Sequence, residues 1–259
     1  MPELPDVEVF RRYFESTALH QEITEVQLAS FRLLRNTSPG ELRSRFSGRT
    51  FESGRRHGKH LFAVTHSGFS LLLHFGMTGF LSYYKGEEDP DYSQLTLRFQ
   101  NGYSLAYINK RMLGRIGLVE DIAAYVEEES LGPDALDIDR NQFAGIVRGG
   151  RGSIKSTLMN QDRISGLGNV YVDELLYASG IDPRHASGEL TDKQIDRIFE
   201  SMRHVVDQAI TAQADPDRMP REFLLPHREE GAPCPACGGR VNKTTISGRS
   251  TYFCPSCQE

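Results

Sequence analysis

The chain has 259 residues, 38% of them hydrophobic and 25% charged, with four cysteines and a formal net charge of −5. That length points to two domains, each able to bury its own core. No apolar run approaches the roughly 18 residues of a membrane span and no charged-then-apolar leader opens the chain, so we expect a cytoplasmic protein, nucleoid-associated if its partner is DNA.

The chain opens Met1-Pro2-Glu3-Leu4-Pro5-Asp6. Removal of Met1, which a small second residue permits, leaves a proline secondary amine beside a carboxylate. An α-amino group titrates near about pH 8, so part of it is an unprotonated nucleophile at neutral pH. Such an amine can attack a sugar C1′ or an aldehyde to form an iminium, and Glu3 is close enough in the chain to move protons for it. On these six residues alone, a frayed, extended terminus without a role is the favoured reading. Residues 7–20 then carry apolar positions at helical spacing.

From about 23 to 119 short β-like runs alternate with turn residues: Ile23–Leu28, His60–Thr65, Ser70–His74, Gln94–Phe99 and Tyr103–Ile108. Turns are expected at Ser38-Pro39-Gly40, His66-Ser67-Gly68 and Asn101-Gly102, the last a strong hairpin signal. This texture predicts an antiparallel sandwich or barrel. Lys59 is expected at the start of a strand. Two elements interrupt the pattern, His74-Phe75-Gly76-Met77-Thr78-Gly79 and Asn109-Lys110-Arg111-Met112-Leu113-Gly114-Arg115. Loops of this kind can push an apolar wedge and an arginine into a DNA stack, but a buried Met in a hairpin corner is the more frequent explanation of such a residue, and on these residues alone it is the favoured one.

The acidic stretch at 120–139 reads as a connection between domains. Helices are expected near 141–148, 153–160, 170–178 and 191–212, the last with Thr191 and Gln194 as a capping box. Between two of them, Ile164-Ser165-Gly166-Leu167-Gly168-Asn169-Val170-Tyr171 forms a turn whose backbone N–H groups could hold a phosphate. It follows no strand and lacks a third glycine, which rules out a dinucleotide-binding loop. Residues 213–233 read as a flexible or irregular link.

All four cysteines fall in Cys234-Pro235-Ala236-Cys237 and Cys254-Pro255-Ser256-Cys257. Two such knuckles match a four-cysteine zinc ribbon, with one structural Zn2+ because four thiolates leave no open position. Disulfides do not suit a cytosolic chain. Arg240, Lys243 and Arg249 make the hairpin between the knuckles a candidate DNA contact. Other basic residues cluster too: Arg43, Arg45, Arg49, Arg55, Arg56 and Lys59, then Lys110, Arg111 and Arg115, then Arg148, Arg151, Lys155 and Arg163. One-sign patches suit phosphate whatever the total charge, although solvated faces look the same.

In this order, the opening Met1–Pro5, Gly58-Lys59, His74–Gly79, Ile164–Tyr171 and the terminal four-cysteine motif resemble the formamidopyrimidine-DNA glycosylase / endonuclease VIII family of DNA glycosylase/AP lyases, over essentially the whole chain. The resemblance implies an α+β fold: an N-terminal helix plus antiparallel β-sandwich (1–125), a helical helix–two-turn–helix domain (126–215), an irregular link (216–232) and a zinc-finger β-hairpin (233–259). It implies a monomer acting on double-stranded DNA that contains oxidised bases or AP sites, held in a basic cleft between the domains. It also implies roles. Pro2 is the nucleophile, Glu3 the general acid/base, and Lys59 a strand lysine that contacts phosphate and assists catalysis. Asn169, Arg249 and Lys155 bind phosphates. Met77, Arg111 and Leu113 fill the gap left by a flipped nucleotide, while Tyr171 and Val172 pack the turn.

Three departures bear on specificity. Asp6 replaces the usual Glu, Leu113 replaces a common Phe, and the link from Ala214 to Ala232 is short and lacks the tyrosine- and glutamine-rich stretch that caps 8-oxoguanine. Ring-opened purines, oxidised pyrimidines and hydantoins are therefore the expected substrates. Competing readings are an AP lyase with little base excision and a non-catalytic binder of damaged DNA. A zinc hydrolase fits poorly, since the cysteines exhaust the metal coordination.

Overall fold

The computed structural model describes residues 1–259 and divides into two compact units, Met1–Pro2 with Asp6–Glu129 and Glu3–Pro5 with Ser130–Glu259. The expected boundary at 125/126 falls inside a helix, and the change of unit comes at 129/130. No helix is long and apolar enough to cross a membrane.

In the first unit, helix α1 (Leu4–Ala18, its first two residues counted with the second unit) precedes strand β1 (Ile23–Leu28), strand β2 (Leu34–Arg35) and helix α2 (Pro39–Phe46). Strands β3 (Phe51–His57), β4 (His60–Thr65), β5 (Ser70–His74), β6 (Gly79–Lys85), β7 (Ser93–Phe99), β8 (Tyr103–Asn109) and β9 (Arg115–Val119) follow, then helix α3 (Ile122–Glu128). One sheet runs β1-β7-β8-β6 and the other β2-β9-β5-β4-β3. Every pairing is antiparallel except β2 with β9. Both sheets contribute to one core, in which Leu61 and Leu73 of one join Leu97 and Leu105 of the other, with Val7 and Phe14 of α1. This is the expected sandwich. Asn101-Gly102 turns β7 into β8, with Gly102 at φ +79°.

Two segments differ from expectation. Ser38-Pro39-Gly40 starts a helix: the Ser38 hydroxyl accepts the Glu41 N–H, Pro39 takes the first turn, and α2 buries Leu42 and Phe46. The acidic stretch is not all connection either. Asp121 caps α3, whose Ile122 and Tyr125 pack on Phe62, Leu72 and Val119. One member of the first basic run is internal, because the Arg56 side chain is only 5% exposed, with Nε 3.4 Å from Glu8 Oε2 and Nη1 donating to Gly58 O at 2.9 Å.

The second unit contains helices α4 (Arg140–Arg148), α5 (Ile154–Met159), α6 (Asn169–Ser179) and α7 (Asp192–Thr211), then strands β10 (Asn242–Ile246) and β11 (Arg249–Phe253). Capping boxes at Asp139 and Thr191 start α4 and α7. Along α7 the buried residues Ile195, Ile198, Met202, Val205, Val206 and Ala209 recur every three or four positions, as one apolar stripe requires. They pack with Leu4, Phe143, Leu158, Leu167 and Val172. Residues 216–232 contain 3-10 turns at Pro216–Arg218 and Leu225–His227. This segment is irregular yet packed, since Met219 and Phe223 join the helical core and Leu224 the zinc-finger core. Each buried apolar side chain of this size contributes about 1.5–3 kcal/mol.

Candidate active site

The second residue of interest in the sequence is held by the start of α6. Glu3 is 1% exposed; its Oε1 accepts the Val170 N–H at 3.0 Å and its Oε2 the Tyr171 N–H at 3.2 Å. A helix N-terminus presents unpaired N–H groups and favours an anion, and here a carboxylate 167 residues earlier in the chain takes that place. The turn expected to offer these N–H groups to phosphate therefore gives two of them to Glu3. Its glycines are explained by space. A Cβ on Gly168 would lie 2.3 Å from Glu3 Cδ, and one on Gly166, at φ +109°, would lie 2.6 Å from Leu4 Cδ1. Gln161 fastens the turn, its amide donating to Leu167 O at 2.8 Å and its Oε1 accepting the Gly166 N–H at 3.1 Å. Pro2, half-buried, precedes Glu3 in the chain.

In the first unit, Lys59 is the second residue of the Gly58-Lys59 turn between β3 and β4, immediately before the strand. His60 faces His74 across β4 and β5, so this turn adjoins the loop that leaves β5. Burial, then the charge of Arg115 and that of Lys59, pushes His74 down to about 4; burial and His74 push His60 down to about 3.

That loop, 75–78, packs backbone to backbone on the loop 110–114. A Cβ on Gly76 would meet Leu113 C and O at 2.5 Å, and one on Gly114 would meet His74 O at 2.5 Å. Buried Asn109 donates to Phe75 O at 3.1 Å and to the Tyr107 hydroxyl at 2.7 Å, and that hydroxyl donates to His74 O at 2.9 Å. The Arg111 N–H donates to Thr78 Oγ1 at 3.4 Å. On this rigid base Met77 is 40% exposed and Leu113 47% exposed, with Arg111 exposed as well. Exposed apolar side chains on fixed loops do not serve the core, which removes the hairpin-corner explanation of Met77.

In the second unit, Asn169 is the first residue of α6 and its Nδ2 donates to Ser250 O at 2.9 Å; its Oδ1 is buried without a partner. Arg249 opens β11, exposed, after a two-residue turn with Ser247 at φ +48° and Gly248 at φ +73°. Lys155, expected at a phosphate, is not a surface cation. Its side chain is 0% exposed, and Nζ donates to Asp173 Oδ1 at 2.6 Å, Thr251 Oγ1 at 2.7 Å and Ser250 O at 3.3 Å. Burial pulls its pKa down while Asp173 opposes that. Asp173 also accepts from Arg228 at 2.7 Å and from the Tyr252 N–H at 3.2 Å. Glu174, pushed up to about 7 by burial against the pull of its donors, accepts the N–H groups of Leu224 and Leu225 at 2.9 and 2.6 Å. The only sequence signal for this pair was two acids inside an otherwise apolar helix.

The four Sγ atoms lie within 4.8 Å of one another, with Cys234–Cys257 at 3.8 Å and Cys237–Cys254 at 3.6 Å. These separations are too long for disulfides and match tetrahedral zinc, whose bonds of about 2.3 Å put sulfurs roughly 3.8 Å apart. Cys234, Cys237, Cys254 and Cys257 thus hold one structural zinc, which fixes the two knuckles and the hairpin between them.

Family models match in the same order: a formamidopyrimidine-DNA glycosylase N-terminal domain at 1–116, its H2TH domain at 131–219, and a zinc finger found in FPG and IleRS at 231–259. The formamidopyrimidine-DNA glycosylase of Pelotomaculum thermopropionicum is 30% identical over 274 residues, covering 100% of this chain and 99% of its own. That of Gluconobacter oxydans is 32% identical over 278 residues and covers all of both. Lactococcus lactis Fpg, solved with DNA containing an abasic site, aligns with a TM-score of 0.90 at 27% identity over 99% of each chain. Sequence, domain order and fold agree along the full length, and the chain belongs to the formamidopyrimidine-DNA glycosylase family.

Proposed function

We propose that this protein is a base-excision repair enzyme that removes ring-opened and oxidised bases from duplex DNA and then cuts the strand at the resulting AP site. The observation that carries the reading is Glu3, buried and fixed by two backbone N–H groups of α6 directly after Pro2. Once Met1 is removed, the Pro2 nitrogen attacks C1′. The C1′–base bond breaks, the base leaves with its electron pair and a proton, and the sugar ring opens to an iminium between Pro2 and C1′. The iminium acidifies the C2′ proton. Its removal expels the 3′ phosphate by β-elimination, and a second elimination expels the 5′ phosphate. Glu3 moves the protons that accompany ring opening and elimination.

Lys59 contacts phosphate beside the lesion, and Asn169 and Arg249 grip flanking phosphates. Met77, Arg111 and Leu113 occupy the gap that the flipped nucleotide leaves, their exposure and rigid base suiting them to it. Lys155 serves from inside, seating the hairpin that carries Arg249. The enzyme works as a monomer on cytoplasmic chromosomal DNA.

The segment after α7 supports a substrate choice. Its Met219, Phe223 and Leu224 are buried, and Glu174 holds two of its N–H groups. A segment so occupied is poorly suited to cap 8-oxoguanine, so ring-opened purines are preferred. Single-turnover excision should favour a formamidopyrimidine over 8-oxoguanine by about tenfold or more, the scale of a lost pocket contact. Equal rates would remove the substrate reading. Cleavage of AP sites alone would favour an AP lyase, and binding without cleavage a non-catalytic protein.

A further inference from the structure

Helix α6 holds the zinc finger with residues spaced one turn apart. Asn169 binds Ser250 O, Asp173 accepts the Tyr252 N–H, and four positions further on Tyr177 reaches the metal site. Positions i, i+4 and i+8 share a helix face. The Tyr177 ring is buried in a small core with Leu224, Cys234, Val241 and Cys254, and its hydroxyl lies 3.3 Å from Cys234 Sγ. A zinc-bound cysteine is a thiolate without a proton to give, so with metal present the tyrosine O–H is the donor.

We propose that Tyr177 is a positioning residue of the zinc centre, whose hydroxyl hydrogen bond to the Cys234 thiolate governs how firmly zinc is retained. Four thiolates around one dication carry a net charge near −2, which donors to sulfur must disperse. Cys237 is exposed and Cys257 half-buried, so water can serve them. Cys234 is 2% exposed, and its donors come from the protein. The same hydroxyl links the metal site to the helix whose first residue is Asn169, so a firmly held zinc also fixes the seat of Arg249.

The test uses the full-length zinc protein and needs no DNA. The inference rests on zinc at the four cysteines and not on the repair reaction, so zinc content is measured first. One ion per chain in wild type and in Tyr177→Phe validates the comparison; no zinc in wild type overturns the inference. A coloured chelator should then take zinc from Tyr177→Phe about tenfold or more faster than from wild type, the usual scale for an outer partner of a metal ligand. Tyr252→Phe, which alters a neighbouring ring with no hydroxyl–sulfur contact, should release zinc at the wild-type rate. Equal release from wild type and Tyr177→Phe, or equal acceleration in both variants, overturns the proposal. Should Tyr177→Phe fail to fold, the cadmium-substituted wild type decides: scalar coupling between cadmium and the Tyr177 hydroxyl proton is expected, and its absence overturns the hydrogen bond.

Discussion

Replacing Gly168 by alanine tests the link between the α6 turn and the Glu3 carboxylate, the proposed general acid/base. Gly168 has an extended backbone, φ −140° and ψ −166°, that any residue can adopt, so its role is spatial. The added methyl would lie 2.3 Å from Glu3 Cδ and 2.5 Å from Oε1, well inside contact distance. Glu3 must move away and lose its bonds to the Val170 and Tyr171 N–H groups. Hydrogen bonds to a charged group are worth about 1.5–3 kcal/mol each, so the pair gives about 3 kcal/mol or more. For a protein of this size that lowers the melting midpoint by roughly 6–12 °C. Displacing a catalytic group by about 1 Å costs on the order of a hundredfold in rate. The assay pairs thermal unfolding with single-turnover cleavage of an AP-site duplex. Gly168→Ala that melts and cleaves as wild type does would refute both the proposed constraint and the role given to Glu3.

Two further predictions concern buried charge. Lys155→Met leaves Asp173 in the interior with Arg228 as its remaining cation and should cost about 3 kcal/mol, the lower end for a broken buried pair. Arg249→Ala should reduce the slope of DNA affinity against salt by about one, as loss of a phosphate contact does, whereas Lys155→Met, which removes no phosphate contact of its own, should change that slope by less than one and only through the seat of Arg249. The second prediction is a pH response of opposite sign in the two units. His74 titrates at 6.5 when unfolded and about 4 when folded, so it gives stability above 6.5 that is lost as pH falls toward 4, roughly 3 kcal/mol for this group. Glu174 is raised from 4.5 to about 7, so its stabilising effect is present below 4.5 and is lost as pH rises through 7. Denaturant titrations from pH 7 to 4 should therefore show the first unit weakening on acidification, a slope that His74→Gln flattens.

Local signals made most of the fold legible. Alternation marked β1, β4, β5, β7 and β8 near the residues observed, though not β2, β3, β6 or β9; Thr191 with Gln194 marked the start of α7, and the cysteine spacing fixed the metal centre. Helix α2 was missed because Ser38-Pro39-Gly40 has the composition of a turn as well as of an N-cap with proline in the first turn. The chemistry around the candidate site was harder, since its partners are remote in sequence. Glu3 meets Val170 and Tyr171 more than 160 residues later, at a separation of 167 and 168, and Lys155 meets Thr251 at a separation of 96. Nothing local distinguishes a lysine aimed at phosphate from one sealed against an aspartate. Burial decides it, and burial belongs to the tertiary structure.

The proposed repair reaction depends on covalent chemistry at the Pro2 nitrogen. Borohydride reduction of the protein on a duplex with a single AP site, followed by peptide mapping, tests it most directly. A stable protein–DNA adduct attached at the Pro2 amine is expected, absent in Pro2→Gly if that variant retains Met1 and blocked wherever the terminus is capped. An adduct mapped to another residue, or none formed while the AP-site duplex stays bound, would contradict it.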